Sequence, residues 1–170
     1  MTSATSAPRD DRPVARPSQA LAIYLRNHEA AAAAGTDLFA RMSRSQADRA
    51  WGPTVVQVAD EVAEDLVTLR ALLHDVGVRP DALSSLALRA GERIGRLKPN
   101  GHLVTRAPLS DLIEVEAGLD AVQAKGSGWK ALQAVHGSAL PVDLEELSRR
   151  AEDQVTRMRA VHAAVAAAVL

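Results

Sequence analysis

Apolar side chains recur at spacings of three and four along four stretches of the chain, the period that gathers them on one face of an α-helix. In the first stretch the recurring positions are Leu21, Leu25, His28, Ala32, Gly35, Phe39 and Met42. Ser18 is a good N-cap for this helix, which is predicted to run to about Arg44. The second helix carries Val55, Val58, Val62, Leu66, Leu69, Leu73 and Val76. Gly52-Pro53 opens it and Gly77 ends it. The third is predicted to start near Pro108 with Leu109, Leu112, Glu116, Leu119 and Gln123 on one face. Gly126-Ser127-Gly128 is expected to bend or interrupt it before Trp129. The fourth follows Pro141 and repeats Leu147, Ala151, Val155, Met158, His162, Val165 and Val169.

The connections set the topology. The first and second helices are joined by a short link, as are the third and fourth, so each pair is predicted to form an antiparallel hairpin. Between the second and third lie about 30 residues. They contain a further helical segment from Pro80 to about Leu97 and a turn at Pro99-Asn100-Gly101. A link of that length can travel the full height of a bundle. Two hairpins joined by one overpass is the connectivity of ferritin-like folds. The predicted architecture is therefore all-α, a ferritin-like four-helix bundle with a long crossover containing an extra helix. Residues 18–170 form its single domain, and residues 1–17, with Pro8, Pro13 and Pro17 among Ser, Thr, Asp and Arg, form a disordered tail.

Composition agrees with a helical reading. Alanine supplies 33 of 170 residues and aromatics only 2%, favouring helices that approach closely over a sandwich or barrel. The absence of cysteine excludes a disulfide scaffold, a thiolate zinc site, an iron–sulfur cluster and a cysteine nucleophile. A net charge of −1 argues against a dedicated nucleic-acid binder. No apolar run reaches the length of a membrane span, and no apolar segment marks a secretory signal, so the expected compartment is the cytoplasm. P-loop, GxGxxG, GxSxG and HExxH patterns are absent. Basic residues between Arg89 and Arg106 read as a solvated stretch of the crossover, or as one that pairs with Asp60, Glu61 and Glu64. Trp51 and Trp129, beside glycines near helix ends, are expected to cap the core.

Helical wheels then place six polar side chains toward the interior: His28, Asp65 at the flank, Glu116, Gln123, Gln154 and His162. Glu61, Glu64 and Glu114 are predicted to point away. Rise along the helices puts His28, Gln123 and Gln154 in one layer. Glu116 and His162 fall in a second layer, roughly 10–15 Å away, with Asp65 between and nearer the second. One reading is a buried polar network of His28, Gln123, Gln154, Glu116 and His162 that fixes helix register. The other is a metal site for iron, manganese or zinc built from Asp65, Glu116 and His162, with His28.

The stretches YLRNHEAAAAAG, DEVAEDLVTLRALLHDVGV, GRLKPNGHL and PLSDLIEVEAGL together resemble a group of largely uncharacterised actinobacterial proteins of the ferritin-like superfamily, over about residues 20 to 165. The resemblance implies the ferritin-like fold. Di-iron members of that fold carry Glu-x-x-His on two helices, a signature missing here. The expectation is a non-catalytic accessory or interaction protein without cofactor, forming a homo-oligomer or binding another protein. A metal-binding protein is the alternative, and a binder of a small apolar ligand is a third. Neither nucleic acid nor membrane insertion is expected.

Overall fold

The computed structural model describes residues 17–79 and 108–170. The N-terminal tail expected before Pro17 and the extra helix expected from Pro80 lie outside these residues.

Four long helices account for most of the described chain. Helix α1 spans Gln19–Ser45, and the Ser18 hydroxyl caps it by accepting from the Leu21 amide at 3.2 Å. Helix α2 spans Gly52–Asp75, with Pro53 in its first turn where the missing N–H costs nothing. It stops at Gly77, whose φ of 73° turns the chain. The Gly77 and Val78 amides bond back to the carbonyls of His74 and Leu73 at 3.0 and 2.8 Å. Helix α3 spans Pro108–His136 and helix α4 spans Leu144–Val169, joined by a single 3-10 turn at Gly137–Ala139. The Asp143 carboxylate caps α4 through the Glu146 amide at 2.9 Å, and Glu145 and Glu146 complement the positive end of its dipole.

Each helix packs on two others: α1 on α2 and α3, and α4 on α2 and α3. Side-chain contacts fix the directions. Glu29 meets Arg70 across α1–α2. Along α1–α3, Gly35 faces Ala121 while Gly128 faces His28. Asp65 meets Arg150 across α2–α4, and Glu116 meets His162 across α3–α4. With Glu61 meeting Arg157 and Lys130 meeting Glu152 as second contacts, the residue numbers of α2–α4 and α3–α4 run in opposite senses, as those of α1–α3 do, and the six-residue link from Gln46 to Trp51 makes α1–α2 antiparallel as well. It follows that α2 and α3, on the diagonal, run in the same direction. The chain leaves α2 at one end of the bundle and enters α3 at the other.

The third helix differs from its sequence reading in two ways. It continues unbroken through Gly126 and Gly128. These glycines serve close approach: a Cβ on Gly126 would lie 3.3 Å from the Ala151 Cβ, and one on Gly128 would lie 2.8 Å from His28 Cε1. Gly118 likewise faces Phe39 and Met42. The buried column is Leu112, Val115, Gly118, Val122, Gly126 and Trp129, whereas Leu109 and Glu116 are exposed. The wheel failed here because apolar residues surround most of α3, and its inward glycines carry no hydrophobic signal.

The core divides into two apolar clusters. One gathers Phe39, Met42, Val55, Val58, Val115 and Met158, with Trp51 packed against it. The other gathers Leu25, Leu69, Leu72, Trp129, Leu147 and Ala151. Both tryptophans thus pack on the core, as expected. Between the two clusters in sequence on α2, α3 and α4 lie Asp65, Lys125 and Gln154.

Candidate functional site

Asp65, Lys125 and Gln154 meet in the interior. The Asp65 side chain is 3% exposed and that of Lys125 13%. The Lys125 ammonium donates to Asp65 Oδ2 and to the Gln154 side-chain oxygen. Arg150, from the turn of α4 preceding Gln154, donates through Nη2 to Asp65 Oδ1. The Gln154 amide nitrogen donates to Glu61 Oε2 at 2.9 Å, and Arg157 donates to the same carboxylate oxygen. At the rim Arg150 also reaches Glu64 at 3.3 Å, and Arg157 Nε lies 2.8 Å from Asp153. Helix α1 adds no charge at this height. Its register with α3 places Ala30 to Ala34 opposite.

The electrostatics follow from this geometry. Taking charges out of water is costly unless each finds an opposite charge and its remaining bonds are satisfied. Burial pulls the Lys125 ammonium below its ordinary value, and the Asp65 carboxylate only partly offsets that. Burial acts to raise Glu61, but hydrogen bonds from Arg157 and Gln154, with the charges of Arg157 and Arg150, hold it below the usual carboxylate value.

The residues expected to share one metal site are not brought together. Asp65 pairs with Lys125 and Arg150, near Gln154, and not with the Glu116 layer. Gln154 is followed by His162 eight residues later on α4, about 12 Å by helical rise. Glu116 and His162 do meet, at 3.3 Å, but their side chains are 54% and 37% exposed. They form a surface pair, not a buried layer. His28 lies elsewhere again, half-buried against the Tyr24 ring at a centroid distance of 4.4 Å and against Gly128. Gln123 is half-buried on the flank of α3. Among the described residues, no group of three or more His, Asp and Glu is arranged to hold a metal ion. The carboxylate best placed for one, Asp65, has both oxygens committed to cations of its own chain.

Glu61 and Glu114 also correct the wheel. Glu61 belongs to the interior cluster, and Glu114, only 12% exposed, pairs with Arg41 at 3.1 Å. Lys125 and Arg150, which the sequence reading missed, are the cations of the site. A spacing signal existed: Arg150 and Arg157 are two turns apart on α4, facing Glu61 and Asp65 one turn apart on α2.

His28 gives a pH-dependent prediction. Burial lowers its imidazole below the ordinary value of 6.5. The unfolded chain therefore takes up this proton first as pH falls, and folding loses its contribution. The contribution is intact above about pH 6.5 and declines as pH drops toward the lowered folded value. Urea unfolding between pH 7.5 and 5 is expected to show a smaller loss of stability in His28→Leu than in the wild type. Equal slopes would remove His28 as the cause.

No family model, curated protein or solved structure matches this chain. Among the described residues, no helix is long and apolar enough to cross a membrane.

Proposed function

We propose that this chain is a ferritin-like helical bundle acting as a non-catalytic accessory or interaction protein in the cytoplasm. One observation carries the reading: the interior carboxylate Asp65 is neutralised by Lys125 and Arg150 of the same chain, with Gln154 completing the bonds. A di-iron centre needs carboxylates and histidines converging on a metal. Here an ammonium occupies the space between Asp65 and Gln154, and α1 offers only alanines opposite. The ferritin-like assignment is supported by two antiparallel hairpins whose second and third helices run the same way, a connectivity that requires an overpass.

Contact with other molecules then falls to the surface. The outward face of α4 over its last turns is alanine at 160, 163, 164, 167 and 168, all exposed, which admits close approach of another helix. Self-association is the partner expected first. Metal binding by the Glu116–His162 pair is the second reading, favoured by their 3.3 Å contact.

Metal analysis of protein purified without chelator, combined with sedimentation velocity at tens of micromolar, tests both readings. Metal well below one equivalent together with a concentration-dependent oligomer is expected. A stoichiometric transition metal that disappears in Glu116→Ala or His162→Ala would overturn the first reading in favour of the second. A strict monomer would remove self-association.

A further inference from the structure

The two edges that join the hairpins are built differently. Along α1–α3 the backbones lie near each other over more of their length than along α2–α4. The close edge is lined by Gly35 against Ala121, Gly118 against Phe39 and Gly128 against His28, with the Arg41–Glu114 ion pair toward one end, outside the Asp65 cluster. The wide edge is spanned by long charged side chains: Arg150 to Asp65 and Glu64, and Arg157 to Glu61. Lys125 of α3 reaches into the same cluster.

From this asymmetry we propose that the α2–α4 edge is an ionic latch and the α1–α3 edge a hinge, so that the bundle opens as two hairpins when the latch loses its carboxylate charge. The physical basis is the range and orientation of the two kinds of contact. Glycine-mediated packing is dense and insensitive to charge. An ion-pair cluster holds only while each partner is charged, and removal of one member leaves buried cations that gain by reaching water. Full solvation of Lys125, whose side chain is 13% exposed, requires separation of α2 from α4. The α1–α3 contact can stay closed during that movement, because the cluster touches no charged group of α1. Opening uncovers the apolar faces of Val58, Val62, Met158 and Val161, which are buried in the closed state.

The chain has no cysteine, so spin labels can be placed pairwise without background. Asp60 and Thr156 are exposed on α2 and α4 at one height, set by the Glu61–Arg157 pair, and Asp37 and Asp120 are exposed on α1 and α3 at one height, set by the Gly35–Ala121 contact. Pulsed dipolar distances are measured for each labelled pair at pH 7, in the wild type, Asp65→Asn and Glu61→Gln. In Asp65→Asn the 60–156 distance is expected to gain a component about 10 Å longer, one helix width, while the 37–120 distance and the helical circular dichroism hold. Glu61→Gln, which removes only the half-exposed carboxylate, is expected to show the same component at lower amplitude, and it carries the test if Asp65→Asn does not fold. An unchanged 60–156 distance in the folded variants overturns the latch. Parallel broadening at both edges also overturns it, since the cluster would then be a general stabiliser without a hinge.

Discussion

Asp65→Ala is expected to cost about 3–5 kcal/mol of folding stability, read by urea unfolding at pH 7. The mechanism is the loss of the shared anion of a three-helix cluster. Lys125 would keep only the Gln154 oxygen, and Arg150 only the rim carboxylate of Glu64. Lys125 is the more costly of the two, because its side chain is almost wholly withdrawn from water. Most of the loss is thus the penalty of an uncompensated buried cation, not the value of the pair itself. A control separates the two contributions. Asp65→Leu combined with Lys125→Met and Gln154→Leu replaces the cluster by apolar groups of similar size, and such exchanges are often neutral or stabilising. The triple variant is expected to be more stable than Asp65→Ala alone. If Asp65→Ala costs less than about 1 kcal/mol, the buried charges are not held as described.

Phe39→Ala is expected to cost about 3–5 kcal/mol, through lost burial and the cavity left behind. Phe39 is fully buried in the apolar cluster it shares with Met42, Val58 and Met158. A Cβ on Gly118 would lie 3.2 Å from its ring, so the ring is seated against the backbone of α3. The helix cannot move inward to fill the space without disturbing Gly35 and Gly128 further along the same edge. A typical domain is stable by only 5–15 kcal/mol, so this single truncation is expected to lower the thermal midpoint by many degrees. A loss below about 1.5 kcal/mol would show that the α1–α3 edge can collapse and is not close-packed.

Much of the architecture was legible in the sequence because α1, α2 and α4 are amphipathic and punctuated by strong signals. Ser18, Gly52-Pro53 and Gly77 stand where the helices begin and end. On α2 every predicted core position, from Val55 to Val76, is buried. The long gap before Pro108 agrees with the parallel course of α2 and α3. The third helix resisted the same reading. Its apolar residues are spread around the axis, and its true inward column includes Gly118 and Gly126, which carry no hydrophobic signal. That error turned Glu116 and Gln123 inward and Glu114 outward. Asp65 and Gln154 were placed inside correctly, yet their partners were not. Lysine and arginine are assigned to the surface by default, since their stems ordinarily carry the charge out to water. Lys125 and Arg150 do the reverse, because Asp65 lies deeper than they do. With the cations left out of account, two inward carboxylates and two histidines suggest a metal site; with them in place, Asp65 is neutralised by its own chain.

A double-mutant cycle between Asp65 and Lys125 bears most directly on that closure. Urea unfolding is measured for the wild type, Asp65→Asn, Lys125→Met and the combined variant. The two residues are predicted to couple by at least about 1 kcal/mol, with the double variant less destabilised than the sum of the singles. Additivity to within about 0.5 kcal/mol would mean that the two side chains do not sense each other, and the interior ion-pair cluster would not exist.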